Sequence, residues 1–339
     1  MAVTIKDVAQ LAGVSHQTVS RVINNTSNVR PETRKKVMDA IEKLQFYPNK
    51  AAQNLQKQVV SSIGLFIPFS SEQIRGNPFF AEIIGVISNV CTKQDMCLNI
   101  FSYDENKDGI DLPVRLYKQK IIGGLILTCP SIDKKNIIEL KYHRIPFVVI
   151  GRPVKGYDIS YVDIDNVKLA YDCTKVLIEL GHRNIALING PSFMTYSQDI
   201  YTGYCKALNE RGLNINSDII VETNLLEEDA ETKAVVLFQK GKNISAIFTA
   251  NDYLALGIMK VAFDRGLKVP EDISIIAGCE NRWNSFVTPA LSSVRIDYTR
   301  LGEEAAKSLF DLMFSKQEET KRVIIPTEIV MRGSCRRIS

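Results

Sequence analysis

His16, Gln17, Ser20 and Arg21 recur at intervals of one, three and four positions, so on a helix they would occupy one polar face. Their chemistry suits the edges of nucleic-acid bases. An arginine can donate two hydrogen bonds to O6 and N7 of guanine, a glutamine can pair with adenine, and a histidine is a shorter donor or acceptor. The same face could equally be the solvated side of a small protein–protein module, so the surrounding elements have to decide.

Those elements read as short helices. Thr4-Ile-Lys-Asp7 offers a threonine cap with an acidic residue three positions later, and Val8, Leu11 and Ala12 follow on one face. Gly13-Val14-Ser15 breaks this helix. Ser15 can cap a second one, in which Val19, Val22 and Ile23 point inward, opposite the polar face. Pro31 opens a third helix that would bury Val37, Met38, Ile41 and Leu44. Two helices joined by a glycine turn and braced by a third describe a helix-turn-helix.

The charge distribution agrees. The chain of 339 residues carries 42 Lys+Arg and 38 Asp+Glu, a formal +4. Residues 1–60 hold nine basic and four acidic side chains, hence +5, whereas the rest hold 33 and 34, hence −1. A small basic module ahead of a near-neutral body points to nucleic acid. Basic side chains of the third helix, with Thr4 and Ser15, are placed to hold phosphates and fix orientation.

Beyond Phe46-Tyr47-Pro48, Asn49 can cap a short helix with Ala51, Ala52 and Leu55 on one stripe. So short a helix is marginal in water and should form only against a second subunit and a DNA groove. Leu55, lying over a minor groove, could wedge between base steps. The alternative is a linker whose leucine packs on the following domain.

From Ser62 onward, apolar runs alternate with helical patterns. Strands are expected at 63–67, 97–101, 124–128, 147–150, 185–188, 246–249 and 273–277, with helices at 80–92, 166–180, 203–211 and 253–265. This α/β alternation gives parallel sheets covered by helices on both faces, and so many strands suit two doubly wound lobes. Ligands of such sheets sit beyond the carboxyl ends of the strands. The candidates there are Phe69, Ser70, Phe79, Arg152, Asn251, Asp252, Glu280 and Trp283. The carboxylates and amides can share hydroxyl hydrogens, and Phe79 or Trp283 can cover the apolar face of a sugar. Asp252 could instead merely cap its helix, and Trp283 could be core or interface.

Several classes are disfavoured. A composition 45% apolar and 24% charged is that of a globular protein, not a disordered one. Met1 to Gln10 lacks an apolar signal core, and no run of about 18 apolar residues occurs to span a bilayer. A cytoplasmic protein without a membrane partner is expected. The seven cysteines are scattered and form no CxxC pair, so they read as reduced core residues with no metal. GxGxxG, Walker A, HExxH and GxSxG motifs are missing, and His143 and His182 have no evident nucleophile beside them. Neither an enzyme nor a cofactor is expected.

Thr4-Ile-Lys-Asp-Val-Ala, Gly13-Val-Ser15, Thr18-Val-Ser-Arg-Val-Ile-Asn24, Pro31-Glu-Thr-Arg34, Tyr47-Pro-Asn49 and Ala51-Ala-Gln-Asn-Leu55 resemble the lactose-repressor (LacI/GalR) family. The likeness continues through Asn77-Pro-Phe-Phe80, Asp163-Ile-Asp-Asn166, Leu180-Gly-His-Arg183, Asn251-Asp252 and Arg332-Gly-Ser334. It implies a helix-turn-helix domain over 1–45 and a hinge helix and linker over 46–61. A core like the periplasmic sugar-binding proteins would follow, with one lobe of 62–161 and 291–323 and another of 162–290 and 324–339. The chain would cross between lobes near 160, 290 and 323.

The resemblance makes His16, Gln17 and Arg21 base readers in the major groove and Leu55 the intercalating residue. Thr4, Ser15, Thr18, Ser20, Asn24, Tyr47, Asn49 and Ala52 complete the set expected at DNA. It implies a homodimer on a near-palindromic operator, most simply a repressor, with a small-molecule effector, a sugar, bound between the lobes. The chain shows no heptad tail after Arg332-Gly-Ser334, which favours a dimer over a tetramer.

Three departures matter. Arg30 stands where the family usually has a serine capping the third helix. Ile200 replaces an arginine that clamps the effector, and Gly278-Cys-Glu-Asn281 replaces Gly-Phe-Asp-Asp. The altered clamp suggests a bulkier neutral sugar, such as a maltose-like glucoside. The alternatives are a global catabolite-type regulator with a protein co-effector, a sugar-binding α/β enzyme and a solute-binding protein. An exported solute-binding protein would need the signal sequence that is missing.

Overall fold

The computed structural model describes residues 3–24, 29–47, 60–102, 111–128, 135–153, 156, 158–225, 227–240, 243–315 and 319–338. The chain divides into two compact units, Met1–Val60 and Ser61–Ser339.

In the first unit, α1 spans Ile5–Ala12, α2 His16–Ile23 and α3 Pro31–Leu44. Each begins where a local signal permits it. Ahead of α1, the Thr4 amide and hydroxyl both donate to Asp7 Oδ2, at 2.8 and 2.7 Å. These bonds, the hydroxyl first, hold the Asp7 carboxyl below its usual range. Gly13 ends α1 in the left-handed region (φ 66°), which a residue without Cβ adopts freely. Ser15 Oγ then accepts from the Thr18 amide at 3.2 Å, capping α2. Before α3, Arg30 makes no side-chain capping bond, and Pro31 supplies the helical φ instead.

The core of this unit is small. Val8, Ala9, Val19, Val22, Val37 and Ala40 are buried, with Ile41, Leu44 and Ile23 partly buried around them. Leu11, expected on one face with Val8, and Met38, expected inside, are 45% and 52% exposed. Three short helices enclose only a narrow stripe, and both residues lie at its edge.

The body starts with β1 (Ser62–Ile67), α4 (Ser71–Gly76), α5 (Pro78–Lys93), β2 (Cys97–Ser102), α6 (Asp111–Lys118), β3 (Leu125–Thr128), α7 (Lys135–Tyr142), β4 (Phe147–Ile150) and β5 (Tyr161–Ile164). It continues with α8 (Asn166–Glu179), β6 (Ile185–Asn189), α9 (Thr195–Glu210), β7 (Ile220–Glu222), α10 (Glu227–Lys240), β8 (Ala246–Thr249) and α11 (Asp252–Asp264). The last elements are β9 (Ser274–Ala277), β10 (Ser292–Ile296), α12 (Tyr298–Phe314), β11 (Arg322–Ile325) and β12 (Thr327–Val330).

Among the described residues these strands form two six-stranded sheets, ordered β11-β5-β4-β3-β1-β2 and β12-β10-β9-β8-β6-β7. All pairings are parallel except β12 against β10. The central strands explain this. Every residue of β3, β4, β8 and β9 is buried, so both faces of each sheet need a covering layer, and crossover helices supply it.

The chain passes between sheets three times: after Ile164, after Ile296 and after Ile325. These points lie a few residues later than the expected 160, 290 and 323. Strand β5 thus stays with the first sheet, while β10, placed by the sequence reading in the first lobe, belongs to the second. An apolar run does not reveal which sheet it will join. In the second lobe α8 lies tightly against α9, because a Cβ at Gly203 would come 2.1 Å from the Val167 carbonyl oxygen. His182 is buried there, its ring nitrogens 3.0 Å from Ser245 Oγ and 3.2 Å from the Arg336 carbonyl, and it ties down the chain after β12.

Candidate functional site

The first candidate surface is the face of α2. Burying Val19 and Val22 turns His16, Gln17 and Arg21 outward, and all three are exposed, with Ser20 half-buried beside them. The hydroxyls expected at phosphates already serve the helix ends. Thr4 is bound to Asp7, and Ser15 Oγ lies 2.9 Å from Thr18 Oγ1. Asn24 closes α2, donating from Nδ2 to the Ser20 carbonyl at 2.9 Å. These bonds rigidify the surface without covering it. Tyr47 is 87% exposed. Asn49, Ala52 and Leu55 lie outside the described residues, as does most of the expected hinge helix.

The second candidate is a cleft between the two sheets of the body, about 900 Å³ with the open solvent at its mouth included. It opens at the carboxyl ends of the strands. Phe69 after β1, Phe79 in the first turn of α5 and Asn251 after β8 reach it, as the sequence suggests. Phe79 is held by its helix start, where its amide donates to Asn77 Oδ1 at 3.1 Å, and its ring meets the Tyr298 ring edge-on at 5.8 Å. Asn251 caps α11, accepting from the Leu254 amide at 3.0 Å.

Other candidates have different occupations. Arg152 follows β4 just after Gly151, whose φ of 112° turns the chain. Its guanidinium forks onto Asp199 of α9, with Nε 3.0 Å from Oδ2 and a second bond from a terminal nitrogen to Oδ1. That pair joins the first lobe to the second. Asp252 is not the cap of α11. It is buried, accepting from Asn281 Nδ2 and, at 3.4 Å, from Cys279 Sγ, so that it braces the loop after β9. Burial raises its pKa to about 6.

Glu280 is enclosed by Arg332 and by Arg295 at 3.4 Å, its charge answered within the protein. Asp252 and Glu280 line a neighbouring polar compartment, open to solvent, that shares Phe79 and Tyr298 with the first. Ser70 and Trp283 line neither compartment. Trp283 is 51% exposed, with Arg282 stacked 4.8 Å above its ring.

Several lining residues escaped the sequence reading. Asp163 of β5, Tyr196 of α9 and Tyr298 of α12 come from segments distant in sequence. Ile200, noted only as a lost clamp, is itself part of the wall and is buried. Asp163 is buried too; its nearest side-chain partner is Asn166, whose Nδ2 lies 3.4 Å from Oδ1. The VDIDN run that carries Asp163 was a visible signal, but strand alternation alone could not say that its side chain ends in a cavity.

Comparison with known proteins gives these surfaces a setting. The pattern described as "Bacterial regulatory proteins, lacI family" matches residues 4–49, and that of a periplasmic binding protein-like domain matches residues 174–335. The HTH-type transcriptional repressor PurR of Pasteurella multocida (strain Pm70) is 34% identical over 335 residues, covering 98% of both chains. The chain belongs to the LacI family. Catabolite control protein A of Priestia megaterium is 32% identical over 336 residues, covering 98% of this chain and 99% of its own.

Among solved structures, a transcriptional regulator CelR–cellobiose complex is similar with a TM-score of 0.76 at 26% identity, over 98% of this chain and 99% of that one. The lac repressor dimer bound to operator and the anti-inducer ONPF shares the fold, with a TM-score of 0.88 at 24% identity over 98% and 99%. This LacI-family chain is a DNA-binding transcriptional regulator with a ligand-binding core, and the helix-turn-helix and the two parallel-sheet lobes match that assignment.

Proposed function

We propose that this LacI-family regulator is a cytoplasmic, non-enzymatic repressor that binds a near-palindromic operator as a homodimer and responds to a carbohydrate in the interlobe cleft. The observation that carries the reading is the outward face of α2, where His16, Gln17 and Arg21 are exposed on a capped, packed helix. Arg21 and Gln17 read bases in the major groove, with His16 beside them, while Thr4, Ser15, Thr18, Ser20, Asn24 and Tyr47 fix the helix on the backbone. Asn49, Ala52 and Leu55 serve the minor groove.

In the body, ring faces from Phe69 and Phe79 suit the apolar side of a pyranose, and Asn251 and Asn166 its hydroxyls. The cellobiose named with the similar CelR structure supports a carbohydrate with more than one ring. A ligand can shift the two lobes only by binding one arrangement more tightly than the other, and the Arg152–Asp199 bridge is one contact that such a shift must keep or break.

The test is selection from a randomised duplex pool with the full-length protein, followed by footprinting. An enriched two-fold sequence is expected. A pool that shows no enrichment while the protein remains folded removes the proposal.

A further inference from the structure

The walls of the interlobe cleft carry an unbalanced charge. Among the described residues lining it there is no lysine, arginine or histidine, and Asp163 is the one acidic side chain. Cys279 and Tyr298 can ionise in principle, but burial pushes both well above their ordinary values, so they remain neutral. Ile200 occupies the place where the resembling family has its clamping arginine.

Of the cations outside these walls, Arg152 is already forked onto Asp199, while Arg282 and Arg295 line the adjoining compartment, Arg295 against Glu280. Asp163, Asp199 and Arg152 thus form a group with two carboxylates and one guanidinium. Four aromatic rings, those of Phe69, Phe79, Tyr196 and Tyr298, line the same space.

We propose that the ligand of this cleft is a ring compound bearing a protonated amino group, an amino sugar, which Asp163 receives, and that the cleft rejects anions. The inference rests on the carbohydrate reading above and deepens it. A hydroxyl of a neutral sugar can donate to Asp163, but the ionised form of the group then stays one negative charge in excess. A phosphate or carboxylate would add to that excess in a poorly solvated place. An ammonium cancels it and makes a charge-assisted bond, roughly twice as strong as a neutral one, while the rings attract the cation through their faces.

The state of Asp163 fits a site short of positive charge. Burial first, and then the charge of Asp199, push it up to about 7, against the pull of backbone hydrogen bonds and of Arg152.

The experiment is calorimetric titration of the full-length protein near neutral pH with matched sugars. D-glucosamine is compared with D-glucose, D-galactosamine with D-galactose, and both amines with the 6-phosphates of the neutral sugars; maltose is included as an uncharged disaccharide. Each amine should bind at least about tenfold more tightly than its hydroxyl partner, a factor that corresponds to about 1.4 kcal/mol, and the phosphates should not bind.

Asp163→Asn should bring each pair to equal affinity, with circular dichroism and operator binding as checks on folding. A neutral sugar that binds as tightly as its amine, a phosphate that binds, or an amine series that fails entirely each overturns the inference. Binding of maltose without any amine leaves the carbohydrate reading standing. If no sugar binds, both readings fall.

Discussion

The N-terminal unit and the body solve opposite problems. Among its described residues the first has a buried core of six valines and alanines and exposes its polar face on an eight-residue helix. The body buries whole strands and keeps charged groups, Asp163, Asp199, Asp252 and Glu280, inside or at the edge of a cleft. In the first, side chains face water and need only be held at the right angle. In the second, each charge has to be answered by a neighbour, because desolvation is costly. Arg332 and Arg295 answer Glu280, Arg152 answers Asp199, and Asp163 has the least complete answer. An exposed site is therefore described by its residue types, and a buried one by its charge balance.

That contrast can be broken in several ways. The largest effect is expected from Phe248→Ala in β8. Removing a fully buried ring from the centre of the second sheet should cost the body about 3–5 kcal/mol, whereas Val19→Ala can empty only a small space in the first unit. Chemical denaturation followed separately in each unit checks this, and an equal loss from both would erase the distinction between the two cores.

Next comes Arg21→Ala. It should relax selectivity at one base position by about 1–3 kcal/mol while leaving ligand binding by the body unchanged. Anisotropy titrations on matched and mismatched duplexes measure it, and an unaltered preference removes Arg21 from base reading.

Asp199→Asn deprives the Arg152 fork of its charged partner. The body should lose about 1–3 kcal/mol, the lower part being expected because Arg152 is one-third exposed. Small-angle scattering should show the lobes further apart. A body equally stable and equally compact would mean that the bridge does not hold them.

The smallest change is a gain. Arg30→Ser supplies the capping oxygen that α3 lacks and should stabilise the first unit by about 0.5–1 kcal/mol, read from its melting temperature. No gain would show that Pro31 alone suffices to start the helix.

The same contrast explains how far the sequence could be read. The expected strands at 97–101, 147–150, 185–188 and 246–249 lie within a residue of β2, β4, β6 and β8, because continuous apolar runs bounded by turns leave few other structures open. The reading passed over β5 and β10, interior strands whose short runs carry Asp163 and Ser292-Ser293, and over β7, β11 and β12. The last three are short strands at sheet edges with charged and exposed positions, such as Arg322 and Glu328, so they lack the burial that makes an apolar run. Helix α9 starts at Thr195, eight residues before the expected Gly203, since Tyr196, Ser197 and Gln198 give little apolar signal until the cleft and the Asn189 side chain, which donates to the Ser197 carbonyl, take them up.

Sequence alone determined the helix-turn-helix, its caps and its exposed polar face, because hydrogen bonds and burial there act over three or four positions. It also determined the α/β class, since alternating patterns of period 2 and 3.6 admit few other layers. Only the tertiary structure decided which sheet β10 joins, that Arg152 is engaged across the lobes, that Glu280 sits between two arginines, and that Asp163 lines a cavity with no basic side chain among its described residues. Those facts depend on contacts between residues from about fifteen to more than a hundred positions apart, and charge balance in a cleft exists only once the chain has folded around it.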